Sequence, residues 1–173
     1  MAGSAQVPLT PRRLPPLNGR LPPVVVPPLE VVLVARILIA EDDPDLCLLL
    51  RLVVGRAGHD VVSVEDGLAA LTAIREGGLD LVVLDNQMPK LTGLEVLAAC
   101  AELQAEERPL FLMLTALATR KDIRAAYVAG VDDFLAKPFS REELVDRIQQ
   151  LLDEKSLEGS LAASPGRPLG GGL

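Results

Sequence analysis

Aromatic side chains are scarce in this sequence: tryptophan is absent, and one tyrosine and three phenylalanines hold the aromatic share at 2%. Any core must therefore be aliphatic, and base-stacking platforms for nucleic acid, which need exposed rings, are disfavoured. Histidine occurs once, at position 59, and cysteine twice, at 47 and 100. Those counts argue against a zinc or copper centre. Both cysteines lie in apolar, helix-like runs and read as buried small side chains of a reducing compartment. Long apolar runs are missing too. The segment "VVVPPLEVVLVA" is broken by Pro27, Pro28 and Glu30, short of the roughly 18 consecutive apolar residues of a membrane span. It also lacks the basic start of a signal peptide. A cytoplasmic protein with no membrane contact is expected.

What is present suits one domain of ordinary size with tails: 173 residues, 49% of them hydrophobic. The net charge of −7 is uneven. Arg12, Arg13 and Arg20 against Glu30 give residues 1–35 about +2, and Arg167 balances Glu158 near the end, so the middle carries about −9. An acidic middle repels phosphate backbones, and no direct nucleic-acid contact is expected.

Eight of the 14 prolines fall in residues 1–30, and proline cannot donate to helix or sheet ladders. Residues 1–35 are therefore expected to be a disordered Pro-rich extension. The end of the chain, "GSLAASPGRPLGGGL", is equally low in complexity, and residues 156–173 are expected to be a flexible tail. Residues 36–155 remain as the folded domain.

Within that domain, short apolar runs alternate with helix-length segments. Strands are expected at 36–41, 60–65, 80–85, 109–114 and 131–136. Helices are expected at 44–58, 67–78, about 93–105, about 118–129 and about 141–154, with Asp43 and Ser140 as N-caps. Continuous apolar strands separated by helices imply a parallel sheet covered on both faces. Right-handed crossovers then give a doubly wound α/β fold, with its ligand site beyond the carboxyl ends of the strands.

The polar residues gather at that edge. The first strand runs into Glu41, Asp42 and Asp43, the third ends in Asp85, the fourth is followed by Thr115, and the fifth by Lys137 and Pro138. Crowded carboxylates repel one another unless a cation neutralises them, and hard oxygen donors without histidine or cysteine suit Mg²⁺. A cation, an ammonium and a hydroxyl around one carboxylate can together stabilise a phosphoryl group as that carboxylate attacks phosphorus. In isolation Asp85 would be a strand-ending cap residue; in this company it reads as a nucleophile.

The stretches "ILIAEDDP", "DLVVLDNQMP", "LMLTA" and "GVDDFLAKPF" resemble the receiver domain of two-component response regulators, the CheY-like family. The intervals of 43, 30 and 22 residues from Asp42 to Asp85, Thr115 and Lys137 carry the likeness more than any one motif does. CheY is itself a standard example of this fold, so the strand order 2-1-3-4-5 is what the resemblance implies. It further implies that Asp85 accepts a phosphoryl group from a sensor histidine kinase or phosphotransfer protein, and because only about eighteen residues follow the last helix, a stand-alone receiver is expected. Mg²⁺ would be held by Asp42, Asp85, the main-chain carbonyl of Gln87 and, through water, Glu41. Lys137 would pair with the carboxylate, Thr115 would bond the phosphoryl group, and Phe134 would turn inward as a switch. Lys137–Pro138 would be cis, Gly93 would match the family's glycine after the third strand, and Ala116 would leave room for phosphate. Glu41 stands where aspartate is commoner, and the apolar Leu117 would slow self-dephosphorylation. Output would pass through phosphorelay or a protein partner on the face of the fourth helix, fifth strand and fifth helix, from a monomer or a weak phosphorylation-dependent dimer. The protein would be a signalling phosphoacceptor rather than an enzyme.

Other readings fit less well. An aspartate-nucleophile phosphatase would need a second acid where Gln87 stands, and a flavin-phosphate loop would be repelled by "EDDPD". A phosphate-independent interaction module on the same fold stays open as the alternative. Asp132 and Asp133 read as solvated, and His59 as a surface residue in a turn.

Overall fold

The apolar runs form the strands, and the segments between them the helices, in the computed structural model of the protein, which describes residues 34–104, 107–116 and 120–162. In chain order the elements are β1 (Arg36–Ala40), α1 (Pro44–Arg56), β2 (Asp60–Val64), α2 (Gly67–Glu76) and β3 (Leu81–Asp85). They continue as α3 (Gly93–Ala99), β4 (Leu110–Thr115), α4 (Arg120–Val128), β5 (Asp133–Ala136) and α5 (Arg141–Ala162). All pairings are parallel and the strand order is β2-β1-β3-β4-β5. This is the expected doubly wound sheet.

Alternation along each strand divides the core in two. Ile37, Ile39, Leu81, Val83, Leu112 and Leu114 face α1 and α5, where Leu50, Val54, Leu144 and Ile148 meet them. Leu38, Ala40, Val82, Leu84, Phe111 and Met113 face the other way, onto Leu71, Ile74, Val96, Leu97 and Ala126 of α2, α3 and α4. Cys47 and Cys100 are free and buried, one in each half. The central strands β1 and β3 are thus rigid supports for whatever leaves their ends.

Helix starts follow local chemistry. The Asp43 carboxylate accepts the N–H groups of Asp45 and Leu46 at 2.9 and 3.0 Å, with Pro44 in the first turn. Ser140 and Glu143 cap each other's backbone at the start of α5. Helix ends depart from expectation. α3 stops at Ala99 rather than near 105, because Cys100 turns into the core and its carbonyl accepts the N–H of Leu103. α5 continues to Ala162, so the tail expected from 156 begins as helix; no proline interrupts the sequence before Pro165.

Three further readings are corrected. His59 is buried, not on the surface: its Nδ1 accepts the Ala35 N–H at 3.4 Å. Ala35, placed in the extension, is only 1% exposed and accepts the Asp60 N–H through its carbonyl. Asp132 and Asp133 are structured rather than solvated. Asp132 accepts the Phe111 N–H at 2.7 Å and pairs with Arg108, while Asp133 pairs with Arg147 at 2.8 Å. Residues 1–33 of the Pro-rich arm, Leu117 and the tail from 163 lie outside the described residues. No helix among the described residues is long and apolar enough to cross a membrane.

Candidate functional site

Strand register assembles the site. Ala40 pairs with Leu84, so Glu41 and Asp85 leave the sheet side by side. Asp85 pairs with Leu114, and Thr115 with Ala136, which sets Thr115 and Lys137 beside them at the same edge. The Lys137 N–H donates to the Thr115 carbonyl at 2.8 Å, and the Lys137–Pro138 bond is cis, as the resemblance implied.

The Lys137 ammonium donates to Glu41 Oε2 at 2.8 Å and to Asp85 Oδ1 at 2.9 Å. Both carboxylates are buried, with 2% and 4% exposure. One lysine therefore serves two carboxylates, and Asp42, exposed at the rim, adds a third. Burial pushes the Glu41 pKa above its ordinary value and the Asp85 charge adds to that, against the opposing pull of Lys137. Burial alone would lower the Lys137 pKa, but its hydrogen bonds to Glu41 and Asp85 outweigh this and hold it raised, as an ammonium. The cluster keeps a negative excess that its own groups do not cancel.

One oxygen from each of Glu41, Asp42 and Asp85 can be chosen so that all three lie within 4.8 Å of one another. The donors are hard carboxylates with no histidine or cysteine among them, so the set fits a hard divalent cation such as Mg²⁺. The backbone holds the other Asp85 oxygen: the Gln87 N–H donates to Asp85 Oδ2 at 2.9 Å. The Glu41 Oε1 accepts the Asp43 N–H at 3.3 Å, so Glu41 is tied at both oxygens.

The sequence-chosen residues that are described lie at or near this edge. Gln87 is exposed at the mouth, Thr115 is half-buried at the end of β4, and Ala116 is exposed beside it. Phe134 is half-buried on β5 and meets the ring of Tyr127 edge-on, with centroids 5.8 Å apart. Gly93 has a steric reason to be glycine, since a Cβ there would lie 2.6 Å from the Asp85 carbonyl oxygen. Sequence reasoning missed the direct Glu41–Lys137 pair, because it assigned Glu41 to a metal-bound water. It also missed Asp66, Gly67 and Lys90. Asp66 caps α2 and pairs with Lys90 at 2.7 Å, and Gly67 packs under the backbone of Leu91. The Asp-Gly step before an apolar helix was the available signal.

The response regulator receiver domain family matches residues 37–149. The DNA-binding response regulator MtrA of Mycolicibacterium smegmatis is 39% identical over 117 residues, covering 68% of this chain and 50% of that protein. The chain spans about half the length of several such curated relatives. Among solved structures, the Francisella response regulator 1452 receiver domain is 30% identical with a TM-score of 0.64, covering 70% of this chain and 98% of that one. The receiver domain of the sensor histidine kinase PA1611 from Pseudomonas aeruginosa, solved with magnesium in its active-site cleft, is 28% identical at a TM-score of 0.64. It covers 69% of this chain, and 98% of its own length is matched. With the family pattern running from β1 into α5 and the acidic strand ends falling inside it, this chain belongs to the response regulator receiver domain family of two-component systems.

Proposed function

We propose that Asp85 accepts a phosphoryl group from the phosphohistidine of a sensor kinase or phosphotransfer protein, with Mg²⁺ bound at the carboxylate cluster. The observation that carries this is the buried Asp85 held between the Lys137 ammonium at 2.9 Å and the Gln87 N–H at 2.9 Å, with two more carboxylates beside it. Asp42, Asp85, the main-chain carbonyl of Gln87 and, through water, Glu41 are the residues that would hold the cation. Mg²⁺ supplies positive charge against the phosphoryl oxygens.

The chain's own groups do the rest. An Asp85 oxygen attacks phosphorus, the phosphorus–nitrogen bond to the donor imidazole breaks, and an acyl phosphate forms. Lys137 moves its charge from carboxylate to phosphoryl oxygen. Thr115, at the end of β4, bonds the same group, and Phe134 follows by turning toward the space that Thr115 leaves. Phosphorylation so biases a two-state surface rather than turning over a separate substrate. The output surface is the face of α4, β5 and α5, where Tyr127 and Val128 are 51% and 83% exposed and Arg124 is exposed. A stand-alone receiver would meet a separate protein partner there.

Intact mass after incubation with Mg²⁺ and acetyl phosphate tests the proposal. A single phosphoryl adduct is expected that needs the cation and is lost in Asp85→Ala. An adduct that survives in Asp85→Ala would contradict it. So would no adduct from either acetyl phosphate or a phosphorylated kinase domain, and the phosphate-independent interaction module would then take its place.

A further inference from the structure

The segment between β3 and α3 holds a backbone feature that the site chemistry leaves unexplained. Lys90 adopts a φ of 68°, the only positive φ outside glycine among the described residues. Left-handed backbone is unfavourable for a lysine, and glycine or asparagine would adopt it more readily. What lysine adds is an ammonium 2.7 Å from Oδ2 of Asp66. The other oxygen of Asp66 accepts the Ala69 N–H at 2.8 Å and caps α2.

Two neighbours reinforce that contact. The Gly67 N–H donates to the Pro89 carbonyl at 3.2 Å, and a Cβ on Gly67 would overlap the carbonyl of Leu91. Pro89, Lys90 and Leu91 therefore all rest on the first turn of α2. The other end of the same segment is part of the site. The Gln87 N–H donates to Asp85 Oδ2, the Asn86 N–H to the Leu114 carbonyl at 3.2 Å, and Met88 is buried between these two anchors.

We propose that Asp66 and Lys90 are positioning residues for the phosphoacceptor: their ion pair ties the backbone from Gln87 to Leu91 onto α2, and so fixes the N–H that orients the Asp85 carboxylate toward cation and phosphoryl group. The inference rests on the receiver reading of Asp85. The Lys90 side chain is 58% exposed and that of Asp66 17%, so the pair adds little to global stability. Its removal loosens the segment without unfolding the domain.

The test uses the full chain and the variants Lys90→Met, Asp66→Asn, the two together, and Lys90→Arg. Asp66→Asn keeps an oxygen to cap α2 and loses only the charge. Mg²⁺ affinity of the unphosphorylated protein is measured by calorimetry, and hydrogen exchange of the Gln87 N–H by NMR. Both single variants are expected to weaken Mg²⁺ binding by about threefold to tenfold, at or below the low end of the roughly 10–100-fold that direct outer partners of metal ligands contribute, because the pair acts through the intervening backbone. They are also expected to speed exchange at Gln87. The double variant should lose no more than either single one, and Lys90→Arg should stay near wild type. Affinity and exchange within twofold of wild type in both single variants would overturn the proposal, as would double-variant losses that multiply. Neither readout requires phosphorylation, so failure here is distinct from a wild-type protein that forms no adduct on Asp85.

Discussion

Replacing Lys137 by methionine keeps most of the stem and removes the one cation between two buried carboxylates. Two charge-assisted hydrogen bonds, at 2.8 and 2.9 Å, are lost, and Glu41 and Asp85 are left facing each other. Removing one partner of a fully buried ion pair costs about 3–5 kcal/mol. The lysine side chain keeps 22% exposure, and water reaching the vacated space offsets part of that, so a loss of about 2–3 kcal/mol is expected. For a domain of this size that lowers Tm by about 10 °C, and a domain with about 5–15 kcal/mol of stability still folds. Urea unfolding followed by circular dichroism, with chelator present, reads the loss. Adding Mg²⁺ should recover more stability in the variant than in wild type, because the divalent charge then does what the lysine did. Combining Lys137→Met with Asp85→Asn should restore about 1 kcal/mol, since one buried charge remains rather than two. A loss below about 0.5 kcal/mol, the range of an ordinary surface substitution, would refute the picture of a buried, underneutralised cluster.

Other consequences follow from single contacts. His59 is buried and its pKa is pushed below the ordinary value by that burial. In the window between the unfolded value of 6.5 and the lower folded one, the unfolded chain binds more protons, so stability falls as pH drops through it. A wild-type pH series against His59→Gln should show that slope vanish; an equal slope in both would contradict it. Gly93→Ala drives a Cβ to 2.6 Å from the Asp85 carbonyl, and a loss of about 1–3 kcal/mol is expected in chemical unfolding. Wild-type stability there would mean the β3 end shifts freely. Arg108 pairs with Asp132, donates to the Gly130 carbonyl and lies 5.0 Å from the Phe111 ring centre. Arg108→Met should cost about 1–2 kcal/mol, again by urea unfolding, with no effect on Mg²⁺ affinity, since the network is at the far end of the strands.

The ten elements and the site edge were legible because each rests on local pattern. Five apolar runs between helix-length segments admit few sheets, and parallel strands put their ends, with Glu41, Asp85, Thr115 and Lys137, on one rim. What escaped reading was long-range. The burial of His59 comes from Ala35, 24 positions away, and Asp132 is ordered by Phe111, 21 positions away. The end of α3 has no local stop signal and is set by the inward turn of Cys100. Lys90 stands in the loop after β3, and only the fold brings it to Asp66, also 24 positions distant. Glu41 was recognised as a site member by its place after β1, but its pairing with Lys137 spans 96 positions.

The most direct test is chemical trapping of the acceptor. Protein treated with Mg²⁺ and acetyl phosphate is reduced with borohydride, which converts an aspartyl phosphate to homoserine, and its peptides are mapped by mass spectrometry. Homoserine at position 85 alone is expected, absent when the cation is chelated. Reduction at Asp42 or Glu41 instead, or an Mg²⁺-dependent phosphoryl group found on a residue outside the strand ends, would contradict the assignment of Asp85 as the phosphoacceptor.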